Sequence, residues 1–195
     1  MRVITGSAKG RNLASVEGLE TRPTSQRTKE SIFNSIQFDI EGRSVLDLFA
    51  GTGQMGIEAL SRGASDAVFV DARRDCADAI RKNLEHTKFS DVGTVELTDF
   101  RAYLKRAKPE SFGLVFLDPP YGTGMLRQAV SQIMRRDLLC YGGLIVCEGE
   151  RTEELPEPAA PYYRGREYLY GKTKITLYIK KQGDGHEDSG ISGQL

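Results

Sequence analysis

Ser44-Val45-Leu46-Asp47-Leu48-Phe49-Ala50-Gly51-Thr52-Gly53 is an apolar run that takes in an acid at its centre and passes into a turn of small residues. Such a strand, feeding a glycine turn ahead of a helix, brings backbone close to a ligand at the carboxyl ends of the strands of an open α/β sheet. The helix follows at once: Gln54 to Arg62 is closed by Gly63, and Arg62 lies in the last turn, where a cation suits the dipole.

Working outward, apolar runs alternate with helical stretches, the pattern of βαβ units and a mostly parallel sheet. Strands are predicted at Ser44 to Phe49, Ala67 to Val70, Val92 to Leu97, Leu114 to Leu117 and Leu144 to Cys147. Helices are predicted at Arg73 to His86, Phe100 to Ala107 and Met125 to Leu138. Leu114-Val115-Phe116-Leu117 is apolar throughout, so this strand is buried on both faces and central. Ile175, Leu177 and Ile179 alternate with polar neighbours, the period of an antiparallel strand, and Tyr168 to Tyr170 pairs with it across a turn at Gly171-Lys172. The expected fold is α/β: a doubly wound, mostly parallel seven-stranded sheet with a C-terminal antiparallel hairpin. That is the Rossmann-like arrangement of class I S-adenosylmethionine-dependent methyltransferases.

Three divisions are expected. Residues 1–22 form a small β arm, 23–181 the main domain, with a helix from Thr24 to Ile36 capped by Thr24, and 182–195 a polar tail too poor in apolar groups to order. With 39% hydrophobic and 28% charged residues the chain reads as a globular protein, and its start lacks the apolar segment of a secretory signal, so a cytoplasmic location is expected. Cys76, Cys140 and Cys147 form no CxxC and there are two histidines, so no disulfide framework or metal site is expected and the cysteines read as buried thiols. The formal charge of zero argues against a sequence-blind nucleic-acid coat.

The string Gly51-Thr52-Gly53-Gln54-Met55-Gly56 also matches a dinucleotide fingerprint. Asp47 decides between ligands, because an acid suits the ammonium of a methionine moiety and not a pyrophosphate. Asp71, 20 residues beyond Gly51, is placed for ribose hydroxyls. Asp99 is a candidate for the adenine amino group, with Phe100 against the ring, and also a helix N-cap. The candidate cofactor residues are therefore Asp47, Phe49, Ala50, Gly51, Thr52, Gly53, Asp71, Ala72, Asp99 and Phe100, and the cofactor is S-adenosylmethionine.

Asp118-Pro119-Pro120-Tyr121 follows the buried strand and supplies the candidate catalytic residues. Consecutive prolines fix φ and remove two donors, leaving a rigid loop of acceptors. An exocyclic amino nitrogen is a poor nucleophile because its lone pair is delocalised. Hydrogen bonds from its protons to Asp118 and the Pro119 carbonyl favour the pyramidal geometry that frees the pair. Tyr121 is placed to stack on an everted base. A carboxylate only accepts, which suits the adjacent N1–H and N2–H of guanine better than the donor and acceptor of adenine.

Together with Arg22-Pro23-Thr24-Ser25-Gln26-Arg27-Thr28-Lys29-Glu30, Glu58-Ala59-Leu60-Ser61-Arg62-Gly63-Ala64 and Tyr170-Gly171-Lys172-Thr173, these segments resemble the bacterial RsmD family over residues 1 to 180. The resemblance implies methylation of N2 of one guanine, numbered 966, in 16S ribosomal RNA, within an assembly intermediate or the 30S particle. Thr28 departs from the aliphatic residue expected there.

Arg2, Lys9, Arg11, Arg22, Arg27 and Lys29 are candidate RNA phosphate contacts, since the arm has no other evident task. His86 reads as a helix cap and Glu148 and Glu150 as solvated strand-end charge. Gly171-Lys172-Thr173 is no P-loop, because the upstream glycine is missing. The competing functions are methylation of another amino group (adenine N6 or a protein glutamine), a non-catalytic RNA-binding assembly factor on the same fold, and, remotely, a nicotinamide dehydrogenase.

Overall fold

The computed structural model describes residues 1–16 and 26–181. Arg22, the Thr24 cap and the tail 182–195 lie outside the described residues, and of Arg27 only the backbone position in a helix is described.

The elements in chain order are α1 (Gln26–Ser35), β1 (Ser44–Asp47), α2 (Gln54–Ser61), β2 (Asp66–Asp71), α3 (Arg74–Thr87), β3 (Gly93–Leu97), α4 (Phe100–Arg106), β4 (Phe112–Leu117), α5 (Met125–Arg135), β5 (Leu139–Glu150), β6 (Tyr162–Tyr170) and β7 (Thr173–Lys180). The strands form one sheet in the order β3-β2-β1-β4-β5-β7-β6. The first five are parallel, and β7 is antiparallel to both β5 and β6.

Successive residues of a strand face opposite sides of the sheet, and here both sides are covered. Val45, Leu114, Phe116 and Val146 pack with Phe33 of α1, Ile57 of α2 and Ile80 of α3. Leu46, Val115, Leu117 and Ile145 pack on the other side with Leu104 of α4 and Ile133 of α5. This explains why the runs in β1 and β4 are apolar without alternation.

The remaining differences are local. β5 begins five residues before the apolar run, because Leu139 pairs with Phe112 ahead of a register shift in β4. α5 ends at Arg135 rather than Leu138, where Asp137 takes a φ of +53°. Cys76 and Cys147 are buried thiols, but Cys140 is half-buried, with Sγ 2.9 Å from the Glu110 carbonyl. Among the described residues no helix is long and apolar enough to cross a membrane.

The N-terminal segment is less a β arm than a docked loop. Among its described residues the strand pairing is the single bridge Arg2 to Asn12, while Val3, Ala8 and Leu13 are buried in the same core as α1 to α3. Gly6 allows the approach: a Cβ there would lie 1.6 Å from the Ser61 carbonyl oxygen.

Candidate active site

β1 and β4 lie side by side with Asp47 opposite Phe116, so the turn after β1 and the loop after β4 leave the same edge of the sheet. β1 leads on to β2 on one side and has β4 on the other, which makes this the topological switch point, where open α/β sheets bind ligands.

The turn after β1 is built around its backbone. Gly51 and Gly53 take φ of +54° and +78°, a region glycine adopts without penalty. Three side chains brace it from the protein side. Asp71 Oδ2 accepts from Gly51 N–H at 2.9 Å, and its other oxygen accepts from Arg73 N–H at 2.9 Å. Asp47 Oδ2 accepts from Gly56 N–H at 2.9 Å. Asn83, on α3, donates to the Thr52 carbonyl at 2.9 Å. A Cβ placed on Gly51 meets nothing within 4 Å, so the turn opens onto free space on its outer side. Half-exposed Phe49 and exposed Ala72 border that side, with Ala50, Thr52 and Gly53 buried behind it.

Two of the expected cofactor residues have other partners. Asp47 is buried behind the turn against Gly56, not presented to an ammonium, and burial raises its carboxyl to about 7. Phe100 is 4% exposed, with the Arg101 guanidinium 4.4 Å above its ring and the Phe49 ring 5.0 Å away, so its ring is packed among protein groups and leaves little surface for adenine. Asp99 is exposed and caps α4, accepting from Arg101 N–H at 2.8 Å.

In the loop after β4, Asp118 and Pro120 are exposed, Pro119 is buried and Tyr121 is half-buried. The Thr123 hydroxyl donates to the Pro120 carbonyl at 2.7 Å and closes the loop. The Tyr121 hydroxyl lies 3.1 Å from Thr173 Oγ1 and 3.5 Å from Glu148 Oε1. Glu148 is only 6% exposed, which corrects its reading as solvated charge.

The fold agrees with that of known proteins. A family model described as Conserved hypothetical protein 95 matches residues 1–179. The chain belongs to this family, the RsmD family. YlbH of Bacillus subtilis, named as an rRNA methyltransferase, is 40% identical over 183 residues, covering 93% of this chain and 100% of its own. Ribosomal RNA small subunit methyltransferase D of Escherichia coli is 30% identical over 189 residues, or 97% of this chain and 94% of its own. The structure of yhhF from Escherichia coli superposes with a TM-score of 0.83 at 30% identity, covering 93% of this chain and 98% of that one. The RsmD-family sheet seen here is that of class I S-adenosylmethionine-dependent methyltransferases.

The basic residues divide. Arg2 and Lys9 are exposed, whereas the Arg11 guanidinium donates to the His86 carbonyl and so pins the arm to the end of α3. Lys29 is corrected outright: it is 1% exposed, its Nζ 3.2 Å from Glu58 Oε2, and no phosphate reaches it. Burial lowers its pKa, opposed by the Glu58 carboxylate. Glu58, fully buried, also accepts from Ile4 N–H (2.8 Å), Thr5 N–H (3.0 Å) and Arg62 Nε (2.9 Å). The arm thus has a structural anchor that its charge did not announce.

Proposed function

We propose that the chain transfers a methyl group from S-adenosylmethionine to the exocyclic N2 of a guanine in 16S ribosomal RNA, acting in the cytoplasm on the RNA as held in a small-subunit intermediate or 30S particle. The carrying observation is the β1–β4 register, which sets the Gly51 turn beside the Asp118 loop. The relative named ribosomal RNA small subunit methyltransferase D supports the RNA class. The guanine preference and its position, 966, rest on the acceptor chemistry of Asp118 and on the family resemblance.

Apart from Asp47 and Phe100, the expected cofactor residues suit the group they are read to hold. The Gly51 turn leaves room outside its backbone, Asp71 offers a half-exposed carboxylate for ribose hydroxyls, and exposed Asp99 stands at the adenine end. Phe49 supplies the apolar wall. The bound cofactor supplies an electrophilic methyl group. Asp118 and the Pro119 carbonyl accept hydrogen bonds from the target amino group, which frees its lone pair along the line of attack, and Tyr121 stacks on the base. Since the amino nitrogen loses a proton as it becomes methylated, Asp118 is the nearby acceptor for it. Among the described arm residues Arg2 and Lys9 are the cations left for phosphate, and Arg22 and Arg27 remain candidates; Arg11 serves the arm's own anchoring.

Incubating the purified protein with S-adenosylmethionine and small subunits lacking the modification, followed by mass mapping of the RNA, tests this. One N2-methylguanosine is expected, reduced about 100-fold or more in Asp118→Ala. A methylated adenine or a methylated protein glutamine overturns the guanine reading, and unaltered product from Asp118→Ala overturns the loop's role.

A further inference from the structure

We infer that Thr173 and Glu148 are positioning residues that set the Tyr121 ring for the target base, so that the tip of the C-terminal hairpin forms part of the active site. The inference rests on the reading of Asp118 to Tyr121 as the base-holding loop. Three separate elements meet at one hydroxyl. Tyr121 comes from the loop after β4, Glu148 from the end of β5, and Thr173 from the first position of β7. The register brings them together: Leu117 pairs with Cys147, so the loop and Glu148 leave adjacent strands at the same level, and the antiparallel β7 places Thr173 opposite Glu150 at that same edge.

The chemistry is that of a latch. A tyrosine ring held only by its own χ angles sweeps a cone, and the two prolines before it fix backbone, not side chain. Hydroxyl contacts at 3.1 Å to Thr173 and 3.5 Å to Glu148 restrain the ring from its far end. The buried Glu148 carboxylate can only accept, so the phenol proton points to it and the Thr173 hydroxyl fills the remaining site. This assigns a use to Gly171-Lys172-Thr173, a segment that no phosphate-binding motif explains: the tight turn at 171–172 brings the hairpin back at the level where Thr173 meets the loop.

The test is steady-state methylation of small ribosomal subunits by the full chain with S-adenosylmethionine, in a double-mutant cycle. Thr173→Ala and Glu148→Gln are each expected to lower kcat about tenfold, with S-adenosylhomocysteine affinity and Tm unchanged in Thr173→Ala. Thr173→Ser restores activity to within about twofold. In a Tyr121→Phe background, which lacks the hydroxyl, both substitutions cost less than about twofold. Equal losses from Thr173→Ala in the Tyr121 and Phe backgrounds, or failure of Thr173→Ser to rescue, overturn the latch. If Glu148→Gln does not fold, the Thr173 pair alone decides. Full activity in Tyr121→Ala and Asp118→Ala instead fails the underlying loop assignment, whereas loss in those two with silent Thr173 variants fails the latch alone.

Discussion

The N-terminal arm and the C-terminal hairpin both lie outside the β1 to β5 core, and each reaches one half of the site. The arm reaches the glycine turn through Asn83, which accepts from Ala14 N–H at 2.7 Å and donates to the Thr52 carbonyl at 2.9 Å. The hairpin reaches the base loop through Thr173. They are held by different means. β7 has a continuous ladder against β5, from Leu144 opposite Ile179 to Glu150 opposite Thr173. The described part of the arm has one bridge; most of its N–H groups bond within its own turns, while Ser7 donates to the Ser61 carbonyl and three others dock it through side chains, Ile4 and Thr5 to Glu58 and Ala8 to Ser61 Oγ. A segment without a ladder is held to its neighbours by a few polar groups, and the stability of its docking is concentrated in them. A segment with a ladder spreads the same task over many equivalent bonds.

The largest effect expected from that contrast is at Glu58. Glu58→Ala removes the acceptor for two arm N–H groups and leaves Lys29 buried without its counter-charge. Breaking a buried pair costs about 3–5 kcal/mol, which lowers Tm by about 10 °C in a chain this size. Hydrogen exchange is expected to accelerate at Ile4 and Thr5 while Leu177 and Tyr178 stay protected. Leu169→Lys, on an exposed position of β6, serves as the ladder's counterpart and is expected to stay within about 0.5 kcal/mol of the parent. If both substitutions change stability equally, the distinction between hub and ladder fails.

A second difference is in pH. Buried groups on the hairpin side include Tyr178 and Tyr162, whose phenols burial pushes up, and Lys180, whose pKa burial lowers but Asp137 and Glu110 raise on balance, so these three keep their protons throughout the ordinary range. Under the cofactor turn sits Asp47, raised by burial to about 7. Between its unfolded value near 4 and about 7, the folded protein keeps a proton that the unfolded chain gives up. The stability this group contributes is therefore full below pH about 4 and is lost as pH rises through about 7. Asp47→Asn keeps an acceptor for Gly56 and is expected to flatten the slope of Tm against pH over this window. An unchanged slope in the variant would remove Asp47 as its source.

Much of this was legible in the sequence, for reasons that particular residues make plain. β4 could be read because parallel burial on both faces leaves no polar position in Leu114 to Leu117, and β7 because Ile175, Leu177 and Ile179 keep period two. Both candidate turns could be read because glycines and prolines carry their backbone consequences locally. Lys29 could not, since a lysine is ordinarily exposed and its partner lies 29 positions away on another helix. Glu148 was missed for the same reason in another form: a strand-end carboxylate is solvated unless something distant in sequence packs on it, and here Tyr121, 27 positions back in a loop, reaches it with its hydroxyl. Asn83 shows only a polar residue on an amphipathic helix, and nothing local ties it to Ala14 or Thr52.

That residue carries the smallest of the effects and the sharpest form of the comparison. The Asn83 carboxamide spends its acceptor on Ala14 N–H and its donors on the carbonyls of Ala14 (3.3 Å) and Thr52 (2.9 Å). Asn83→Ala strands these groups at a cost of about 1–3 kcal/mol. Because one of them belongs to the cofactor turn, part of that cost is expected as a weaker affinity for S-adenosylhomocysteine, about three- to tenfold by calorimetry. Asn83→Asp separates the two ends: it keeps the acceptor for Ala14 N–H while losing the donors to the Ala14 and Thr52 carbonyls, so the Ala14 amide stays protected from exchange while cofactor affinity still falls. Should Asn83→Ala lose stability yet bind S-adenosylhomocysteine as tightly as the parent, the arm is anchored to α3 alone and has no hold on the turn.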